Sequence, residues 1–169
     1  MKRMLVALGV LGFVCVAATA QAQEDLKKLD VWVGDWAWEN HVKESPSGPE
    51  QKIEGTGQFR RLGDHFYVWR NQWTDAEGNE QRVLNITDYD PVKKACVVHR
   101  FDSQGGRGTA VMTIDAKTVT FDWTGVTASG EKTRSRCTDV LEDAGPNSCE
   151  DFTDGKWWAS SKGKSKKVK

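Results

Sequence analysis

From Glu24 to Val33 the apolar residues Leu26, Leu29 and Val33 fall on one helical face, with Lys27 and Lys28 directed away and Asp25 placed to cap. This spacing predicts a short N-terminal helix that serves as a lid or plug. Past Gly34 the period changes to two. Trp36, Trp38, Asn40 and Val42 alternate with Ala37, Glu39 and His41, as the two faces of a strand do. The same alternation returns over residues 52–62, 65–73, 81–88, 95–101, 107–114, 118–124, 132–142, 147–153 and 157–161. Between these runs lie turn signals such as Gly63-Asp64, Tyr89-Asp90-Pro91, Asp115-Ala116-Lys117 and Asp154-Gly155-Lys156. Short strands in regular succession, with no helices between them, predict an all-β fold. It should be an antiparallel up-and-down barrel of about 9–10 strands behind a short N-terminal helix. Gly55 and Gly57 sit inside one strand, where the wall must bend or a neighbour must come close.

The first residues do not join this pattern. Lys2 and Arg3 precede a nearly unbroken apolar run from Met4 to Ala18, and Ala20-Gln21-Ala22 supplies the small residues of a cleavage site, so residues 1–22 read as a secretory signal peptide. Phe13 and Val14 ahead of Cys15 make a poor lipobox, which argues against lipidation. Cleavage near Ala22 would leave a periplasmic or secreted protein whose single domain spans residues 23–161, followed by a basic, disordered tail at 162–169. Losing Lys2 and Arg3 turns a balance of 24 basic and 24 acidic residues into 22 against 24, so nothing points to nucleic acid. The tail concentrates Lys162, Lys164, Lys166, Lys167 and Lys169, and weak adhesion to an anionic surface is its only implied partner contact. Oligomeric state is not legible.

Export would also permit disulfides. Cys96, Cys137 and Cys149 remain after cleavage, and one of them falls outside any single bridge within the chain. Gly145-Pro146-Asn147 marks a turn, and a hairpin centred near Asp143 would set Cys137 opposite Cys149, which we therefore expect to pair.

Chemistry is sparse. No nucleophile elbow, Ser-His-Asp order, phosphate loop or paired-carboxylate motif occurs, and no catalytic residue, cofactor or metal is expected. Gly105-Gly106-Arg107-Gly108 leads into a strand, without the helix N-terminus that holds phosphate. His41, His65 and His99 lie in separate strands and lack metal-ligand spacing. Asp122 shares its face with Thr120 and Thr124 and is expected to meet water. The outstanding feature is eight tryptophans. In a barrel of this size such rings either fill the core or line a cavity. The cavity candidates are Trp36, Trp38, Tyr67, Trp69, Trp73, His99 and Trp123.

Gly34-Asp35-Trp36 resembles the glycine, one residue, tryptophan start of lipocalin-like barrels. The likeness continues through Gly55-Thr56-Gly57, Arg61-Leu62-Gly63, Tyr89-Asp90-Pro91, Thr133-Arg134-Ser135-Arg136, Asp139-Val140-Leu141-Glu142 and Asp154-Gly155-Lys156-Trp157. Taken together these are similar to a family of secreted bacterial lipocalin-like, calycin-type domains, mostly of unknown function. The resemblance implies a barrel closed by its N-terminal helix and hollow enough for a small apolar guest. It also implies that Arg134 or Arg136 packs across Trp36 to close the barrel, a cation–π contact of about 0.5–2 kcal/mol. Cys137, Cys149 and the early loss of the last strand depart from it. The expected function is non-enzymatic binding of a small hydrophobic ligand in a tryptophan-lined cavity in the cell envelope. The alternatives are an envelope protein-interaction module with a side-chain-filled barrel, then a barrel enzyme or a haem binder using His99.

Overall fold

A computed structural model describes residues 24, 26–75 and 77–168. The expected signal peptide, its cleavage site and the Asp25 cap lie outside the described residues. Glu24, Leu26 and Lys27 are helical and run into a 3-10 turn at Lys28–Trp32, after which all regular structure is strand. The strands are β1 (Gly34–Val42), β2 (Gln51–Leu62), β3 (Phe66–Thr74), β4 (Glu80–Asp90) and β5 (Ala95–Asp102), then β6 (Arg107–Asp115), β7 (Thr118–Val126), β8 (Lys132–Val140), β9 (Ala144–Thr153) and β10 (Lys156–Lys167). Each pairs antiparallel with its neighbours in sequence, and β1 pairs with β10 to close the barrel. Turn chemistry sets the order. In the β9–β10 turn, for instance, Asp154 and Gly155 both take positive φ, 53° and 78°, as a two-residue type I′ turn requires.

Residues 162–167, expected to belong to a disordered tail at 162–169, instead form the end of β10. Trp36 pairs with Lys167, Trp38 with Ser165 and Asn40 with Gly163, so this segment forms the seam of the barrel. Composition misleads here because the lysines alternate. Gly163 and Ser165 are the small residues that face inward, while Lys162 and Lys164 point outward to acidic neighbours. Lys162 reaches Glu50 at 3.5 Å and Lys164 reaches Glu39 at 3.8 Å, and Glu39 also holds Lys52 at 2.9 Å. Such exposed pairs contribute about 0–1 kcal/mol each, and their effect is to neutralise the tail. Lys167 is more enclosed, donating to the Val31 carbonyl at 3.1 Å beneath the barrel.

The closed end is where the core sits. Leu26, Leu29 and Trp32 press into it from the N-terminal turn, against Phe59, Tyr67, Val119 and Phe121. Trp32 lies at its centre, with ring centroids 5.9 Å from Phe59, 6.2 Å from Trp69 and 6.5 Å from Phe121. Its indole N–H donates to the Val140 carbonyl at 3.3 Å. The Tyr67 hydroxyl donates to Asp30 at 2.6 Å, and Arg61 approaches the same carboxylate at 3.7 Å. Cys137 pairs directly with Cys149 across β8 and β9 and is bonded to it, as the hairpin register predicts. The reversal itself falls at residues 141–143, and Gly145-Pro146-Asn147 belongs to β9. Cys96 is buried in the core cluster and takes no part in that bridge.

Candidate functional site

Above the plug the barrel encloses a cavity of about 260 Å³. Two rows of paired inward residues define its character. In the first, Trp69 of β3 stands opposite Asn85 of β4, and Asn85 opposite Arg100 of β5. In the second, Trp38 of β1 stands opposite Gly55 of β2, and Gly55 opposite Trp73 of β3. The glycine explains how both rings fit. A Cβ at Gly55 would overlap the Trp38 indole, and one at Gly57 would come within 2.9 Å of the Trp69 ring nitrogen. Trp38 and Trp73 therefore meet at 5.8 Å, edge to face, over a backbone that carries no side chain of its own. Phe121 and Trp123 stack at 6.1 Å on the far wall.

The lining is aromatic but not inert. The ring nitrogens of Trp38 and Trp69 are buried without a hydrogen-bond partner, as are the side-chain oxygens of Asn40, Asn71 and Asn85. The Trp38 and Trp69 indoles press on Gly55 and Gly57, so these atoms are the polar component of an otherwise aromatic wall. Arg100 projects into the same space, its guanidinium 6.0 Å from the Trp123 ring centroid. The enclosing wall lowers its pKa, opposed by Asp102 and Asp151. Burial raises Asp139 to about 7. Burial also raises Asp151, against a hydrogen bond from Ser160 and the charge of Arg100. Tyr67 is pushed up by burial and then by its bond to Asp30, which keeps the phenol protonated.

Of the residues expected to line a cavity, Trp36, Trp38, Trp69, Trp73 and Trp123 do so. Tyr67 does not, because it is packed in the plug against Phe59 at 5.4 Å. His99 faces outward, 3.9 Å from Asp88, since Cys96, Val98 and Arg100 take the inward positions of β5. His41 is likewise outside, with Glu50 at 3.0 Å, and His65 is exposed in the β2–β3 turn. A haem held through His99 is therefore not built into this lumen. Among the described residues no three His, Cys, Asp or Glu side chains gather to hold a metal ion. Arg134 and Arg136 do not cover Trp36. Ser135 and Cys137 occupy the inward positions of β8 opposite Trp123 and Phe121, so the arginines project from the outer wall. There each guanidinium lies 5.1 Å from the Trp157 ring, and Arg136 also pairs with the outward Asp122 at 2.9 Å.

Sequence reasoning missed Trp32, Arg100, Asn85 and Asp139. β5 is apolar on both faces, and nominating His99 for the cavity chose the face of Val97 and Phe101 over that of Val98 and Arg100. Trp32 lay one position off the helical stripe of Leu26, Leu29 and Val33. The available signal for Asn85 and Asp139 was parity with Val83 and Cys137.

The fold has relatives among solved structures. Rv2717c from M. tuberculosis superposes with a TM-score of 0.64 at 11% identity, over 85% of this chain and 97% of that one. A de novo designed fluorescence-activating β-barrel gives a TM-score of 0.43 at 9% identity, over 82% of this chain and 94% of the design. A redesigned β-barrel gives 0.45 at 12% identity, over 84% and 96%. No curated protein matches the chain. One family model matches residues 21–150, more than half of the length, and so the chain belongs to the family described as protein of unknown function DUF1579.

Proposed function

We propose that this protein is a lipocalin-like binder of a small, largely apolar molecule held in the lumen. One observation carries the reading: an enclosed cavity walled by the rings of Trp38, Trp69, Trp73 and Trp123, with room left between them. A barrel filled by its own side chains would leave no such space. At about 260 Å³ the cavity is at the small end of ligand sites and suits a guest of about a dozen non-hydrogen atoms. Burying roughly 300 Å² of apolar guest would gain about 7 kcal/mol before association costs, which leaves a micromolar or weaker dissociation constant. Native mass spectrometry of the folded protein, followed by tryptophan fluorescence titration with fatty acids, retinoids and quinones, tests it. A retained mass or saturable quenching supports the reading, and an empty mass with no saturable response to any of them rejects it.

The Cys137–Cys149 bridge supports an oxidising compartment, in keeping with export past a cleaved leader. Intact mass of the exported protein should show Gln23 first. Recovery of the uncleaved chain from membranes would refute this.

A partner-binding module is the second reading, and the exposed stack of Phe152, Trp157, Arg134 and Arg136 on the outer wall favours it. The lysines of β10 lend it little, since Lys162, Lys164 and Lys167 each reach an acidic residue.

A further inference from the structure

The lumen's polar atoms have a direction. Asparagine amides can present either oxygen or nitrogen, so Asn40, Asn71 and Asn85 do not by themselves select a guest. The indole nitrogens of Trp38 and Trp69 can only donate, and both are buried and unpartnered. Arg100 can only donate as well. It forms no hydrogen bond or ion pair with the described residues. Two carboxylates, Asp102 and Asp151, act on it through their charge, but neither forms an ion pair with it. Asp102 instead accepts the backbone N–H groups of Gln104 at 3.0 Å and Gly106 at 2.8 Å. Arg100, Asn85 and Trp69 are successive members of one inward cross-strand row. Gly108 flanks Arg100 on its other side, across β6, so no neighbouring side chain covers that side of it.

We propose that Arg100 anchors an anion subsite in the lumen, and that the guest is an amphiphilic monoanion, a medium-chain or aromatic carboxylate. Its head is held by Arg100, which leans toward Trp123, and its apolar body lies along Trp38, Trp73 and Trp123. The inference rests on the lumen being a ligand site and narrows it to a chemical class. Charge-assisted bonds from a guanidinium to a carboxylate, in a space walled by hydrocarbon, supply the selectivity that a purely apolar pocket lacks. The acidic groups of the lumen set the alternative. Asp139, on β8 beside the plug, and Asp151 would favour an amine if they, and not Arg100, dominated the field.

Three probes with one tail separate these cases: octanoate, 1-octanol and octylamine, titrated at pH 8 against intrinsic tryptophan fluorescence. Octanoate should bind about ten-fold or more tighter than 1-octanol. Arg100→Gln should bring the two within about two-fold while leaving 1-octanol unchanged, and Arg100→Lys should keep part of the preference. The comparison of head groups on the wild-type chain does not depend on any variant folding. Equal binding of octanoate and 1-octanol, or tighter octylamine, would overturn the anion subsite and leave the lumen as a ligand site. Absence of saturable binding by all three would overturn both.

Discussion

The Trp36 indole N–H donates to the carbonyl oxygen of Trp32 at 2.7 Å, wholly inside the protein. The ring that opens the first strand thereby satisfies the end of the plug, and wall and plug become one unit.

Truncating that ring should cost more than truncating any ring of the lumen. Trp36→Ala is expected to lose about 3–5 kcal/mol, and Trp36→Phe about 1–2 kcal/mol through the orphaned carbonyl. Trp73→Ala, which enlarges an existing cavity, should lose less. Denaturant unfolding of the three variants checks the order, and equal losses at positions 36 and 73 would refute the special role of the plug contact.

Deleting residues 162–169 should open the barrel. Register places Ser161 to Lys167 along the whole of β1 from Val42 to Trp36, so removal exposes two strand edges and frees the plug from Lys167. Loss of near-UV circular dichroism and of a cooperative melt is the expected result. A truncated protein that melts like the full chain would mean that the tail is dispensable after all.

Reducing the bridge between Cys137 and Cys149, 12 residues apart in sequence, releases a closed hairpin in the unfolded chain. The cost should be about 3 kcal/mol, and for a domain of this size a fall in Tm on the order of 10 °C. Melts with and without reductant decide it. Cys137→Ser with Cys149→Ser should reproduce the reduced protein, and Cys96→Ser should not show this loss of the bridge.

Asp139 should make the protein less stable as pH rises. Its carboxyl titrates near 7 in the folded state because burial disfavours the charge, against an ordinary value of 3.8. The folded chain thus binds more protons than the unfolded one between those values, and stability falls across that window and levels off above it. The full shift corresponds to at most about 4 kcal/mol, and roughly half of that once lumen water screens the group. Asp139→Asn should flatten the profile between pH 4 and 7 in about that proportion. An unchanged slope would place Asp139 in a wetter setting.

The two-residue period and the turn residues carried the strand count, and the Cys137–Cys149 register followed from the symmetry of one hairpin. Direction in or out was legible wherever one face was bulkier, as for Trp69 and Trp73. It was not legible on β5, where Val97 and Phe101 compete with Cys96 and Val98, and the sequence nominates His99 for the cavity where the fold places Arg100. Charge is a poor guide inside a hollow barrel, because the inward face is itself partly wet. Composition failed for β10 for a related reason: glycine, serine and lysine look like a tail until their alternation is matched to the tryptophans opposite. The likeness to lipocalin-like barrels placed an arginine over Trp36, whereas the Trp32 carbonyl and the backbone beside Lys167 occupy that surrounding here.

The seam between β1 and β10 has a kinetic consequence. Every other pairing joins strands adjacent in the chain, so hairpins can form one after another with small loop-closure costs. Trp36 meets Lys167 only when the last strand has arrived. Until then the sheet is an open, unsealed ribbon, and the lumen with its unsatisfied tryptophans does not exist. Closure is thus the slow, long-range step of folding, and it waits on the arrival of β10 beside β1.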